Sequence, residues 1–400
     1  MKKLAIIGAG AAGLCSVIEA ANENPDIQIV IFERMPKAAK KLLATGNGRC
    51  NFTNADLSLS HFYGENDFLE TILSNEFSNI KAFFKKLGVL SYEEDGRIYP
   101  RSQQASTIKD TLIKNAEGRN ITIKTECHIN NIQKVKNGFT VNDDFFDAVI
   151  LSGGGKASTV HGSDGSCYKL AEALGHTLTP LYPALSGLVI NDKDLNLLKG
   201  VRAECKAELY SGTALLGSET GEIQFTDKAV SGIPVMNLSH LCENKKGLKI
   251  KLDLCPEIDE KALYDHINKA VNNSPHFEFE AILNGIVNLK LGFAVMNRAG
   301  IKPQTKCNVL KPFHINEAIK QIKSFEINIK STKGFDNAQV TKGGIKTSEL
   351  SPDTMMSKKS DGLFICGEVL DIHGDCGGYN LHLAFTTGRI AGNSAGKYLK

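Results

Sequence analysis

Apolar residues fall in short unbroken runs near both ends of the chain, with alternating and helical patterns between them. Leu4–Ile7 (LAII) and residues 27–32 (IQIVIF) are apolar almost throughout, the pattern of strands in a parallel sheet covered on both faces. An alanine-rich helical stretch, to about Asn22, joins them. Residues 67–88 put Phe68, Leu69, Ile72, Leu73, Phe77, Ile80, Phe83, Phe84 and Leu87 at helical spacing, predicting a helix whose aromatics belong to a core. Residues 105–118 predict another. Residues 120–150 alternate, carry the hairpin signal Asn137-Gly138 and end in the apolar run Ala148–Leu151, a return to the central sheet. Residues 186–250 read as short strands broken by glycine, 258–296 as mainly helical and 322–330 as alternating. A strand over Gly362–Cys366 and a helix to Tyr398 follow. There is no internal repeat, low-complexity segment or Pro-rich linker.

The turn between the first strand and the first helix carries Gly8-Ala9-Gly10-Ala11-Ala12-Gly13, a G-x-G-x-x-G, and Glu33 ends the second strand twenty residues later. Each part has a physical task. Gly8 permits the tight turn, Gly10 lets the backbone approach a pyrophosphate, and Gly13 lets the helix pack on the sheet. The helix start offers free N–H groups to phosphate, and the acid accepts hydrogen bonds from a ribose. A strand–helix turn with no ligand would leave Glu33 without a task, so the pattern predicts dinucleotide binding. It does not choose between FAD and NAD. Glu33 repels a 2′-phosphate, an exclusion softened by Arg34.

Composition narrows the picture. A length of 400 residues suggests two or three domains. With 47 basic against 44 acidic residues, the net charge of +3 implies no polyanionic partner, so no nucleic acid is expected. Ten cysteines are scattered without CxxC spacing, which argues against structural zinc and a redox dithiol. No metal is expected, and mostly reduced thiols point to the cytoplasm. Lys2 and Lys3 before an apolar stretch have the outline of a secretory signal, but Gly8, Gly10 and Gly13 suit a tight turn better. The stretch is also too short to span a membrane.

Four polar segments remain. Residues 37–54 (KAAKKLLATGNGRCNFTN) run from a short basic helical piece into a loop with Gly46, Gly48, Arg49, Cys50 and Asn51, able to set backbone N–H groups around a ligand or to be plain surface. Gly153-Gly154-Gly155-Lys156 and His161-Gly162-Ser163-Asp164-Gly165 make a second glycine-rich strand-to-helix transition. Near residue 341 the chain returns through Gly343-Gly344. Gly367-Glu368, Asp371 and Gly377-Gly378-Tyr379-Asn380 then lead to the last helix.

These residues carry a recognisable pattern. The chain resembles the BaiN-like (YhiN-like) family of FAD-dependent oxidoreductases, members of which are also labelled aminoacetone oxidases. The matching segments are IIGAGAAGL near residue 6, KKLLATGNGRCNFTN at 40–54, GEIQFTDKAVSGIPVMNLS at 221–239, KGGIKTSEL at 342–350 and GLFICGEVLDIHGDCGGYNLHLAFTTGRIAG at 362–392. They span nearly the whole chain, and the GNGRCN and GEVLD…GGYNL segments are far more specific than the glycine turn. The resemblance implies an α/β fold: a discontinuous FAD/NAD(P)-binding Rossmann-type domain (1–185 and 340–400) with an inserted β-barrel-like part (186–250 and 310–339) and a small helical part (251–309). The pass along the chain divides it in the same way.

The resemblance also implies roles. Gly8, Gly10, Ala11, Ala12, Gly13, Glu33 and Arg34 would hold the ADP half, with the backbone of Ile129 at the adenine. Lys40, Lys41, Thr45, Gly46, Asn47, Gly48, Arg49, Cys50 and Asn51 would line the flavin side. Glu368, after Gly367, would meet the ribityl chain, with Asp371 close by. Gly377, Gly378, Tyr379, Asn380 and Leu381 would cap the pyrophosphate or the flavin ring edge. Two departures leave the second glycine segment without a role: the family's TGG is here Gly153-Gly154-Gly155, and its GDGY is Gly165-Ser166-Cys167-Tyr168, lacking an acid.

The expected activity is FAD-dependent oxidation or reduction of a small organic substrate, with NAD(P)H a candidate donor; a carbonyl-conjugated alkene and an amine both fit. A flavin-dependent RNA-modifying enzyme and a non-catalytic dinucleotide sensor are the alternatives. Among His373, Asp375, Cys376, Tyr379 and His382, no spacing demands catalysis. His373 and Tyr379 are candidate proton donors, and equally loop structure. Cys50 and Cys376 read as buried, inert thiols rather than redox groups.

Overall fold

A computed structural model describes residues 1–118 and 120–400. The chain forms two compact units, Met1–Tyr182 with Gln339–Lys400, and Pro183–Ala338.

The first unit is built on a five-stranded parallel sheet. Its strand order is Leu363–Ile365, Ala148–Leu151, Lys3–Ile7, Gln28–Phe32 and Ile121–Lys124. The central runs are apolar at successive positions because both faces are covered: Leu4, Ala5, Ile6, Ile29, Val149 and Ile150 are all buried. This is the expected α/β Rossmann-type arrangement. The first helix, Ala11–Glu23, crosses from the first strand to the second and packs along the last helix, Tyr379–Tyr398.

That helix pair is unusually close. Gly388, Gly392 and Gly396 stand four apart on the last helix. A Cβ on Gly388 would lie 2.4 Å from the Ala12 carbonyl oxygen, and one on Gly392 would lie 2.3 Å from that of Ser16. The backbones therefore touch. Ser16 Oγ lies 2.9 Å from the carbonyls of both Ala12 and Gly388 and fastens one helix to the other.

The helix expected over 67–88 is interrupted. It forms as Asn66–Ser74 and Ile80–Lys86. Asn75 and Asn79 turn their side chains back to accept from the N–H groups of Phe77 and Ala82, ending one helix and capping the next. The apolar periodicity runs straight through this break because Phe68, Leu69, Ile72, Ile80, Phe83 and Phe84 share one core.

The second unit joins a closed six-stranded antiparallel barrel to a helical part. Around the barrel run Leu188–Ile190, Ala229–Gly232, Ala214–Thr226, Arg202–Ser211, Leu248–Asp253 and Phe325–Thr332, which pairs back onto the first. Alternation sets the faces: Leu248, Ile250 and Leu252 point inward while Lys249, Lys251 and Asp253 are half-buried. A short helix, Ile233–Leu238, follows the strand Ala229–Gly232, and the helical part holds Glu260–Asn273, Phe279–Leu283, Leu289–Arg298 and Pro312–Lys323. The last of these lies in the 310–339 stretch read as β. Pro312 starts it, and Ile315, Ala318, Ile319 and Ile322 form its buried stripe.

Candidate functional site

The glycine turn divides its work among three residues. Gly8 has φ +103°, and a Cβ there would lie 2.7 Å from the Ser152 carbonyl oxygen. Only glycine fits both the conformation and the space. A Cβ on Gly13 would lie 1.9 Å from the Gly8 carbonyl oxygen. At Gly10 a Cβ would meet nothing within 4 Å. Gly10 is also the residue before the first helix, and no side chain caps that helix start. The N–H groups of Ala11, Ala12 and Gly13 thus open the helix beside free space, the arrangement an anion needs.

Glu33 stands beside this turn. Its Oε2 accepts from Ala9 N at 3.0 Å and its Oε1 from Met35 N at 2.8 Å, which leaves lone pairs on both oxygens for ribose hydroxyls. Cys127 N donates to the Glu33 carbonyl and Glu126 N to that of Met35. These bonds bring buried Ile129 to the same edge. Arg34 pairs with Asp164.

The second glycine segment, left without a role by the sequence, is strapped between two others. Lys40 Nζ donates to the Val160 carbonyl at 2.9 Å, and Lys41 Nζ to that of Ala157 at 3.2 Å. Lys41 also pairs with Glu368 at 2.7 Å. Glu368 Oε1 accepts from Thr341 N, while Thr341 Oγ1 accepts from the N–H groups of Lys156 and Ala157. An acid does stand by the following helix: Asp164 accepts from Ser166 N at 2.9 Å.

The loop Thr45–Asn51 is tightly folded. Gly46 and Asn47 have φ 54° and 53°, Cys50 N donates to the Thr45 carbonyl, and Gly48 faces open space. The Arg49 guanidinium pairs with Glu94 at 2.8 Å and lies 4.3 Å over the Tyr99 ring. It is turned onto the hairpin of Ser91–Glu94 and Arg97–Pro100. Burial pushes the Cys50 thiol up to about 12, so it stays protonated.

This loop meets the start of the last helix. A Cβ on Gly378 would lie 2.7 Å from Asn51 Oδ1, Asn54 Nδ2 donates to the Gly377 carbonyl at 2.9 Å, and no side chain caps the helix. Asn380 exchanges hydrogen bonds with both backbone groups of Gly374, Leu381 is half-buried, and Asp371 N donates to the Ile345 carbonyl. Tyr379 is buried, its ring stacked on His61 at 4.7 Å and edge-on to Phe62, and burial pushes its phenol up to about 12. His373 is buried with its ring stacked on Tyr63. Sequence reasoning missed His61 and Tyr63. Nothing in SHFYG marks them, and only the pairing of Phe62–Tyr63 with His373–Gly374 brings them here.

These residues fit a dinucleotide with a polar ring system. One helix start has room for phosphate and a carboxylate beside it. At the other, two buried polar atoms, Asn51 Oδ1 and His382 Nε2, lack a partner among the described residues. The opposite ring nitrogen of His382 lies 2.9 Å from Thr53 Oγ1. Burial lowers the His382 pKa to about 4, from about 6.5 in an unfolded chain. The stability this group contributes is full above pH 6.5 and is lost as pH falls to 4, a change of about 3 kcal/mol. Urea unfolding at pH 7 and pH 4.5 is expected to show a steeper loss in wild type than in His382→Gln; equal losses would exclude this source.

A second constellation has the order of a hydrolytic triad without its access. Ser357 Oγ lies 2.9 Å from His176 Nε2, and His176 Nδ1 lies 3.0 Å from Glu349. Ser357 is buried, however, and its oxygen already accepts from the N–H groups of Lys359 and Ser360. The cluster ties chain segments together. All ten cysteines are free thiols. Among the described residues, no His/Cys/Asp/Glu group is placed to hold a metal, and no helix is long and apolar enough to cross a membrane.

Comparison with known proteins gives the family. The family model described as HI0933-like protein Rossmann domain matches residues 2–394. The chain is 37% identical to the 3-dehydro-bile acid delta(4,6)-reductase of Clostridium scindens, over 99% of each protein. It is 28% identical to the ribosomal RNA dihydrouridine synthase of Haemophilus influenzae, over 96% of this chain and 95% of that one. Among solved structures, the 3-ketosteroid-delta4-(5alpha)-dehydrogenase of Rhodococcus jostii has a TM-score of 0.50 at 14% identity, over 99% of this chain and 97% of that one. That likeness is one of fold. With a family model spanning almost its whole length and a full-length relative at 37% identity, the chain belongs to the HI0933-like Rossmann family.

Proposed function

We propose that this protein is an FAD-dependent reductase that adds hydrogen across a carbon–carbon double bond conjugated to a carbonyl group in a small organic molecule. The observation that carries the cofactor is the uncapped helix start at Gly10, with open space before it and Glu33 beside it. The reaction class rests on the full-length relative named for a delta(4,6)-reduction of a 3-dehydro-bile acid, in which the double bonds are conjugated to the 3-ketone.

In this reading the unit Met1–Tyr182 with Gln339–Lys400 is the FAD-binding domain. Gly8 to Gly13, Glu33, Arg34 and Ile129 hold the ADP half. Lys40, Lys41 and Thr45 to Asn51 shape the flavin side, with Arg49 bracing the loop from behind. Glu368 and Asp371 face the ribityl chain, and Gly377 to Leu381 face the ring edge. A bound flavin supplies the hydride chemistry; the protein orients the ring, excludes water and provides the proton. NAD(P)H is the electron donor.

A second reading has a specific observation behind it. The Haemophilus influenzae relative is named for dihydrouridine synthesis in ribosomal RNA, and the uracil ring also holds a double bond conjugated to a carbonyl. A net charge of +3 therefore does not exclude RNA as the substrate.

The first test is the visible absorption spectrum of the purified protein before and after anaerobic NADH or NADPH. Oxidised-flavin bands that bleach are expected. Bands that persist with both nucleotides would remove NAD(P)H from the proposal. A colourless protein that takes up no added FAD would overturn it. Reoxidation of the bleached protein by a 3-oxo-4,6-diene steroid acid, but not by uridine-containing RNA, favours the small-molecule reading; the opposite result favours RNA.

A further inference from the structure

Four polar groups form a line that begins in solvent and ends in the interior, against the first turn of the last helix. The Asp56 side chain is 62% exposed, and its Oδ2 lies 3.3 Å from His61 Nε2. His61 Nδ1 lies 3.1 Å from Asp375 Oδ2. The Asp375 side chain is only 8% exposed, and its Oδ1 accepts from the Tyr63 hydroxyl at 2.9 Å. Backbone pairing holds the line together: Phe62–Tyr63 pairs with His373–Gly374, and Asp375 N donates to the His61 carbonyl at 3.0 Å. The His61 ring lies flat on Tyr379, inclined by 16°.

The hydrogen-bond inventory makes this line short of a proton. Both nitrogens of His61 face carboxylates. A neutral imidazole has one N–H and serves one of them, leaving an acceptor against an acceptor; the protonated ring serves both. The N–H of Ser58 and its hydroxyl hold the Asp56 carboxyl below the usual carboxylate range, so the outer end of the line stays charged. The groups that face His61 are Asp56, Asp375 and Tyr379, with Tyr63 reached through Asp375 and Arg97 beyond Tyr379.

Reduction of a conjugated double bond needs such a proton. The π bond breaks, a hydride carrying two electrons forms one C–H bond, and a proton forms the other. We propose that His61 and Asp375 are a proton store, filled from solvent through Asp56, that supplies this second hydrogen from the face of the last helix's first turn. The inference rests on the reductase reading, in which the reduced flavin gives the hydride and NAD(P)H restores it. His61 and Asp375 are positioning and proton-holding residues. Negative charge gained on a reduced cofactor draws protons toward basic groups around it, and this line offers one a place between two carboxylates.

The test needs no substrate. FAD-loaded protein is reduced coulometrically through a viologen mediator in weakly buffered solution, and a pH-indicator dye counts the protons taken up per flavin between pH 6.5 and 8.5. Wild type is expected to take up as much as about one proton more than His61→Gln within this range. Asp375→Asn is expected to diminish that difference or abolish it. His61→Phe keeps a flat ring on Tyr379 but holds no proton, and is expected to match His61→Gln. It carries the comparison should Asp375→Asn fail to fold. Equal counts in wild type and both His61 variants across the range would reduce the line to a structural staple. Protein that takes up no FAD would instead fail the reductase reading itself.

Discussion

Gly10→Asp is expected to leave the fold intact and to weaken FAD binding at least about 100-fold. The two halves of this result come from different terms. A side chain at residue 10 meets nothing within 4 Å, and its φ of −86° suits any L residue. Aspartate is also among the best residues before a helix and complements the helix dipole, together about 1 kcal/mol in favour of folding. Against the ligand, a carboxylate about 4 Å from a pyrophosphate charge opposes binding by several kcal/mol at an effective dielectric near 20. A hundredfold loss is about 2.7 kcal/mol, so repulsion exceeds what is required. Fluorescence titration with FAD and a thermal melt of the apoprotein measure the two halves. Wild-type affinity in the variant would mean that phosphate does not sit at this helix.

The second large effect lies in the helix pair. Gly392→Ala is expected to destabilise the first unit by about 3 kcal/mol, a fall in Tm of roughly 10 °C. Helix propensity alone argues the other way, since alanine is favoured over glycine by about 1 kcal/mol in a helix interior. The new methyl would stand 2.3 Å from the Ser16 carbonyl oxygen and 2.6 Å from its Cα. Both atoms are backbone and cannot rotate aside, so the helices must separate and lose the contacts beneath them. Ser394→Ala on the same helix is the control, expected to leave Tm unchanged or slightly raised. A Gly392→Ala protein that melts at or above wild type would show that the two backbones do not touch.

The parts of this molecule legible in its sequence are those whose signals are local. Leu4–Ile7, the glycine turn and Glu33 lie within about thirty residues, and each residue type follows from what its own neighbourhood must do. The apolar run at Ala148–Leu151 announces another buried strand in the same way. Legibility fails where meaning depends on a distant partner. Gly388, Gly392 and Gly396 form a visible spacing, but only Ala12 and Ser16 across the interface give it a purpose. His61 and Tyr63 sit in an unremarkable segment and are brought beside the start of the last helix by a two-residue bridge to His373–Gly374. Closure of the barrel likewise needs Leu188–Ile190 to find Phe325–Thr332. The break between Ser74 and Ile80 escapes for another reason: the apolar stripe serves one core on both sides of it, and two asparagine caps outweigh the period. Arg49 is read from its motif as a ligand contact, while its side chain is taken up by Glu94 and Tyr99.

The order in which a ribosome releases these elements has a consequence of its own. The second unit is one continuous stretch, Pro183–Ala338, with its own core, and all of it emerges before the strand Leu363–Ile365 and the helix Tyr379–Tyr398. The first unit, by contrast, waits for those last elements to complete its sheet and cover its first helix. During synthesis the inserted unit can therefore finish first, while the earlier strand Ala148–Leu151 waits with an unfilled edge. A nascent chain halted inside the second unit would carry the glycine turn, Glu33 and four of the five strands, yet lack the edge strand Leu363–Ile365 and the helix that covers Ala11–Glu23. On the proposed reading, competence to hold the cofactor waits for the helix Tyr379–Tyr398, and flavin bound to a nascent chain would report that this helix has emerged.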